Sequence, residues 1–311
     1  MGKARFAEAT YDPAFKGAPW ANQITDTEGP KGLVIAVAAA KGGAGKSTLT
    51  CWLSEAFTAS GVSVALVDAN IGQPDIAKMT RTWLQSPGIA ALTGERRFSD
   101  EELFEASLHI DGLGRVLGGP AKPLEEAPES MLAALALATE RLAAHHEFVI
   151  VDTPVGTVYE PVFGRFVLHV ANILLVVTNP HEPTVQDTAM WINDISRPPE
   201  EGGFGWPLDK TLGVLNRADH SAELNLENVR SWIPNLNTLC DVPEVKGVIA
   251  AVNSGEWRCP KTARDAVAGL AHQLCQTHPS LSDPLAQSRK DPALARNTKR
   301  QGGLLSRLRR R

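Results

Sequence analysis

The sequence predicts an α/β fold, one doubly wound domain with a mainly parallel sheet over residues 31–277. Three observations predict it. A strand, a glycine-rich loop, a helix and a second strand follow one another within about 35 residues, the signature of a βαβ unit. Short apolar runs then keep alternating with helix-spaced segments to the end of that span. The composition, 43% apolar and 21% charged, is that of a globular chain able to bury a sizeable core. Collagen-like, mucin-like and wholly disordered classes are thereby excluded.

Taken in order, residues 1–30 read as an irregular extension, because Pro13, Gly17, Pro19 and Pro30 punctuate them and no period holds. Residues 33–39 form a nearly unbroken apolar run, as expected of a strand buried on both faces. Gly42, Gly43 and Gly45 break it. Residues 47–60 carry Leu49, Trp52, Leu53, Ala56 and Phe57 at helical spacing, and Gly61 stands where a C-cap would. A second strand is expected at 62–68. Helices are expected at 98–108 and 129–144, and a strand ending in an aspartate at 148–152. A strand at 173–178, a helix at 184–195, a strand at 211–216 and a helix at 224–233 follow. Helices at 245–253 and 260–276 close the domain. Residues 197–207, RPPEEGGFGWP, read as an exposed loop. Beyond Pro279 the chain turns polar and charged, so 278–311 is read as a basic tail.

The net charge of −4 is unevenly spread. Residues 289–311 hold nine Lys and Arg against one Asp, while the remainder holds 22 basic and 34 acidic residues. An acidic body with a basic tail implies that any anionic surface is met by the tail. Cys51, Cys240, Cys259 and Cys275 form no C-x-x-C pair and have no short spacing to histidine. That argues against a zinc site or a disulfide scaffold and fits a reducing cytoplasm. No apolar run reaches the ~18 residues needed to span a bilayer. Residues 1–31 have no apolar signal-peptide core, so a cytoplasmic location is expected.

The strongest chemical signal is Lys41-Gly42-Gly43-Ala44-Gly45-Lys46-Ser47-Thr48, placed after a strand and opening a helix. Glycines let backbone N–H groups point into a concavity that holds phosphate oxygens, and the helix N-terminus adds its positive dipole end. Lys46 can reach the β- and γ-phosphates of a nucleotide, and the Ser47 hydroxyl can bind Mg²⁺. One position departs from G-x-x-x-x-G-K-[ST]: Ala40 stands where the first glycine is usual.

That departure, with Lys41 directly after it, resembles the deviant Walker A motif, K-G-G-x-G-K-[ST], of the ParA/MinD superfamily of P-loop ATPases. Further segments extend the resemblance over most of the domain. LVDANIG at 66–72 is similar to the strand end and first switch segment of MinD-like and FlhG-like members. FVIVDTP at 148–154 is similar to the Walker B strand, and VTNPHEP at 177–183, followed by Asp187, to the next strand–loop–helix. VLNR at 214–217 resembles the base-contacting segment. VPE at 242–244 through NSGE at 253–256 resembles the loop and helix that close the base pocket.

The resemblance implies ATP and Mg²⁺ as cofactors and a homodimer that sandwiches two ATP molecules. Lys41 would reach the partner's phosphates, acting as an arginine finger does. Gly42, Gly43, Ala44, Gly45, Lys46, Ser47 and Thr48 would cradle the phosphates. Asn216 would hydrogen-bond adenine, with Arg217 and Pro243 beside it. Ser47 and Asp152, the latter through water, would hold the metal. The catalytic set would be Lys41, Lys46, Asp68 and Asn70.

The family's switch segment reads D-x-D, and its second aspartate orients the attacking water. Here that position is Asn70. An amide holds a water but lacks the carboxylate's charge, which implies slow hydrolysis or a different use of Asp68. Residues 1–30 show no FlhG-type activating helix motif.

Residues 296–311 contain seven Lys and Arg, with Leu304, Leu305 and Leu308 on one helical face. They look like the short C-terminal membrane-targeting helix of MinD-like members. An anionic membrane surface is favoured over non-specific DNA because of those leucines. The expected function is therefore a slow, partner-stimulated ATPase that dimerises on ATP and positions a cellular structure, peripheral on the inner face of the plasma membrane. The alternatives are a DNA-segregating ATPase of the ParA type and a nucleotide-binding localisation scaffold with little hydrolysis. The cargo and the activating partner are not specified by the sequence.

Overall fold

The computed structural model describes residues 32–82, 85–94, 97–218, 224–233, 236 and 239–276. The expected extension at 1–30 and the basic tail at 278–311 lie outside the described residues.

Among the described residues the strands are β1 (Leu33–Ala38), β2 (Val64–Asp68), β3 (Leu108–Ile110), β4 (Gly114–Leu117), β5 (Phe148–Asp152), β6 (Ile173–Thr178), β7 (Thr211–Ala218) and β8 (Leu239–Pro243). They form one sheet in the order β3-β4-β2-β5-β1-β6-β7-β8. Every pairing is parallel except the β3–β4 hairpin at one edge. The expected mainly parallel α/β sheet is the architecture found.

The longer helices are α1 (Lys46–Ala59), α4 (Glu129–His145), α6 (Glu182–Ser196) and α9 (Lys261–Gln276). The shorter ones are α2 (Ile76–Met79), α3 (Asp100–Glu105), α5 (Leu168–Val170), α7 (Leu226–Trp232) and α8 (Val248–Asn253).

The period of two along each central strand divides its side chains between two cores. In β1, Val34, Ala36 and Ala38 join one core, with α4 and α6 residues such as Leu132, Leu135, Trp191 and Ile192. Leu33, Ile35 and Val37 join the other, with Leu53 and Phe57 of α1 and Val267 and Leu270 of α9. Covering on both faces explains why the central strands read as unbroken apolar runs rather than as alternating ones. Phe57 of α1 stacks on Phe148 of β5, ring centroids 4.2 Å apart and planes 16° from parallel. That contact seats α1 on the sheet and so fixes where its N-terminus points.

Four expectations need correction. The loop expected to be exposed at 197–207 buries Phe204 and Trp206 in the core, since both rings are large and apolar. The helix expected at 98–108 ends at Glu105, and Leu108 enters β3. Its start is set by a capping box, Ser99 accepting from the Glu102 N–H and Glu102 accepting from the Ser99 N–H. Asp111-Gly112 then turns the hairpin, with Gly112 at φ 84° and Gly114 at φ 77°. Asp-Gly between apolar residues is the signal that could have revealed it. The edge strand β8 was not expected, because its mixed, half-buried LCDVP has no clear period. The strand expected at 211–216 runs on to Ala218, through a register irregularity at Arg217.

Removing the stacked ring tests the seating of α1. Phe57→Ala is expected to cost about 3–5 kcal/mol in a denaturant titration, because Phe57 is fully buried. Met190→Ala, on a side chain 66% exposed, is expected to change stability by less than about 0.5 kcal/mol. Equal effects from the two would contradict this packing.

Candidate functional site

The loop between β1 and α1 turns at the carboxyl end of the sheet, beside the ends of β2, β5 and β7. That is where open α/β sheets take their ligands. Gly45 is the N-cap of α1 and sits at φ 92°, a left-handed conformation that glycine adopts without strain. A Cβ there would also strike the Asn216 side-chain nitrogen. The absent side chain lets the Asn216 Nδ2 donate to the Ala44 carbonyl across 2.8 Å. The end of β7 is thus tied to the loop.

Two ionisable groups follow inward from the loop. Lys46 is only 6% exposed. Burial lowers its pKa, while the charges of Asp152 and Asp75 favour its ammonium form. The Ser47 hydroxyl donates to Oδ2 of Asp152 at 2.5 Å. Oδ1 of Asp152 is buried with no hydrogen-bond partner. Burial raises the Asp152 pKa, against the pull of Lys46 and the Ser47 hydrogen bond. A hydroxyl beside a carboxylate with a free buried oxygen is an oxygen donor set for a hard cation. Among the described residues no cluster of three or more His, Cys, Asp or Glu could hold a metal. A cation here would therefore need water and phosphate oxygens as further ligands, the usual manner of Mg²⁺.

The loop borders a cavity of about 560 Å³, lined in part by Gly42, Gly43, Gly45, Lys46, Ser47, Thr48, Asn70 and Arg217. A second cavity of about 310 Å³ adjoins it and shares Gly45, Thr48 and Arg217. Asn216, Pro243, Trp52 and residues of α8 line this second one. The sequence-predicted phosphate and base residues are therefore brought together at two connected hollows. Arg217 stands at their junction with φ 59°, one of two non-glycine residues in the left-handed region among the described residues. The register irregularity of β7 falls at this point, where the strand borders both cavities.

Other predicted residues lie elsewhere. Ala44 is buried beneath the loop and offers its carbonyl to Asn216. Lys41 forms an ion pair with Asp187 of α6, and its Nζ lies 3.5 Å from the Pro183 carbonyl. Lys41 does not border the cavity. Asp68 is fully buried at the end of β2. Its Oδ1 accepts from the Asn70 N–H at 3.2 Å and its Oδ2 from the Ile76 N–H at 3.1 Å. Burial, and then the charge of Asp152, hold its carboxyl well above the usual range. Asp68 thus braces the turn after β2 rather than bordering the cavity. Asn70 does border it, and its side-chain oxygen accepts from the Gln73 N–H at 3.3 Å.

Sequence reasoning missed Gln73, Asp75, Lys78 and Met79, which form the cavity's other wall. No spacing rule marks them, since they belong to a turn and a four-residue helix.

Comparison with known proteins adds three findings. A family model described as "ParA: NUBPL iron-transfer P-loop NTPase" matches residues 32–196. The septum site-determining protein MinD of Thermotoga maritima is 27% identical over 232 residues, 72% of this chain and 80% of that protein. Two solved structures share the fold. The MinD cell division protein of Aquifex aeolicus has a TM-score of 0.60 at 20% identity, covering 80% of this chain and 99% of that one. MinD of Pyrococcus horikoshii in complex with Mg-ADP has a TM-score of 0.57 at 17% identity, covering 80% and 98%.

The tie between the loop and β7 is open to test. Gly45→Ala forces a side chain into a left-handed backbone, at about 1–2 kcal/mol, and also displaces Asn216. In a thermal scan it is expected to lower Tm by several degrees, at roughly 2–4 °C per kcal/mol. An unchanged Tm would show that the Ala44–Asn216 link is dispensable.

Proposed function

The chain belongs to the ParA family of P-loop NTPases, and from that premise we propose that it is an ATPase of the ParA/MinD type. On this reading it binds ATP, dimerises around it, and positions a cellular structure at a membrane surface. The observation that carries the reading is the pair of connected hollows, with Lys46 and Ser47 on one and Asn216 on the other.

Each residue then has a physical task. The backbone N–H groups from Gly42 to Thr48 hold phosphate oxygens at the start of α1. Lys46, buried and charged, faces the β- and γ-phosphates. Ser47 and Asp152 hold Mg²⁺, which when bound neutralises charge on those phosphate oxygens. Asn216 donates one of its two amide N–H bonds to Ala44, which orients the amide beside the second hollow. Its oxygen accepts from the amino group that adenine presents at position 6.

Lys41 acts on the partner's nucleotide. Its pairing with Asp187 is half exposed. Such surface pairs are worth only about 0–1 kcal/mol. A partner's triphosphate offers far more negative charge, so Lys41 exchanges one anion for the other on dimerisation. Asn70 in place of a carboxylate goes with slow hydrolysis and stimulation by a partner protein. Among the described residues no helix is long and apolar enough to cross a membrane. Membrane contact is therefore assigned to the arginine- and leucine-bearing residues 296–311.

Lys46→Ala is expected to weaken ATP binding at least a hundredfold in a calorimetric titration, and near-normal affinity would sink the assignment of the loop. Lys41→Ala should bind ATP as the parent does yet stay monomeric. Light scattering with a slowly hydrolysed analogue reads this, and an intact dimer would contradict the cross-subunit role. Deleting 296–311 should leave ATP binding and dimerisation intact. It should abolish co-sedimentation with phosphatidylglycerol vesicles, which the full chain binds better with ATP than with ADP, since a dimer presents two tails. Stronger binding of the full chain to duplex DNA than to vesicles, falling steeply with salt, would select the DNA-segregating alternative instead.

A further inference from the structure

Of the residues bordering the phosphate cavity, Asp75 is the one that carries a carboxylate among the described residues. Its placement is unusual. Asp75 is the N-cap of α2, a position where an aspartate ordinarily accepts a backbone N–H of the first turn. Here it makes no such bond. Asp68 reaches up from β2 and accepts the N–H of Ile76, the first residue of the helix. The Asp75 carboxylate lies on the cavity wall, where its partner is Lys78 Nζ at 3.4 Å. Both side chains are about half exposed, at 56% for Lys78 and 45% for Asp75, so the pair constrains the carboxylate without consuming it.

The turn carrying Asp75 is held at both ends. Asp68 binds the N–H of Asn70 on one side and of Ile76 on the other. Pro74 packs against Gly119, where an added Cβ would come within 2.6 Å of the proline's own. The field of Asp75 is felt across the site, since its charge favours the ammonium form of Lys46. The wall of the cavity facing the loop thus holds two neutral amides, Asn70 and Gln73, one carboxylate, Asp75, its partner Lys78, and Met79.

We propose that Asp75 is the catalytic carboxylate of hydrolysis, orienting the attacking water and taking its proton. This rests on the ATPase reading and deepens it. The water oxygen forms a bond to the γ-phosphorus as the bond to the β–γ bridging oxygen breaks. ADP departs with that electron pair. The water's proton passes to the Asp75 carboxylate and from there to solvent, leaving inorganic phosphate. Asn70 and Gln73 hydrogen-bond the same water but accept no proton. Asp68 is a positioning residue, acting through the turn.

The test uses the full-length chain with radiolabelled ATP. Affinity is measured by equilibrium binding and hydrolysis by single turnover at saturating protein. Asp75→Asn is expected to keep affinity within threefold and to slow hydrolysis by about a hundredfold, the low end for a general base. Adding Asn70→Asp to Asp75→Asn returns a carboxylate to the wall and is expected to restore at least a tenfold gain. Hydrolysis by Asp75→Asn within twofold of the parent overturns the proposal and leaves the ATPase reading standing. Loss in Asp75→Asn with no recovery in the double variant, alongside an equal loss in Gln73→Ala, also overturns it, because water placement by the wall as a whole would then account for the rate. A parent chain that binds no ATP overturns the ATPase reading and the proposal together.

Discussion

The structure of this site depends on burying a lysine at the end of a parallel sheet. Lys46 is all but closed off from solvent, and an isolated ammonium there would be costly. Its charge is sustained by Asp152, which ends β5, and by Asp75 across the cavity. Asp152 is itself too deeply buried to stand alone. It draws on Lys46 and on the Ser47 hydroxyl, and keeps one oxygen unspent. Each group is tolerable only with the others present. The arrangement therefore fixes the loop, the start of α1 and the end of β5 together. Among the described residues the cavity is bordered by Lys46, Lys78 and Arg217 against the one carboxylate of Asp75, and the spare Asp152 oxygen offers a ligand to a cation. A phosphate chain with Mg²⁺ would suit both features.

Much of this was legible in the sequence. The central strands are apolar on both faces, so their runs stand out, and the loop between β1 and α1 has a spacing few other structures need. Asn216, Arg217 and Pro243 are placed by the resemblance of VLNR at 214–217 to the family's base-contacting segment and of VPE at 242–244 to its base-pocket loop. What escaped was local and polar. The β3–β4 hairpin is three and four residues long, too short for periodicity to register. The α2 wall, with Asp75 and Lys78, comes from a turn whose geometry is decided by Asp68 reaching across eight residues to Ile76. The resemblance places Asp68 in the catalytic set, and its two backbone partners give it a bracing role that no sequence pattern marks.

At Asn70 the turn after β2 carries an amide, and five residues later Asp75 places a carboxylate on the cavity wall. The site keeps a negative group opposite Lys46 without following the D-x-D pattern. On the opposite flank, the pairing of Lys41 with Asp187 keeps a mobile cation parked on α6, outside the cavity.

If the two hollows hold one adenine nucleotide with its metal, titration calorimetry of the full-length chain will find one ATP bound per chain, clear weakening when Mg²⁺ is chelated, and weaker binding of GTP, whose base lacks the amino group at position 6 that the Asn216 oxygen accepts from. No measurable heat with ATP, or equal binding of ATP and GTP indifferent to Mg²⁺, would contradict this reading.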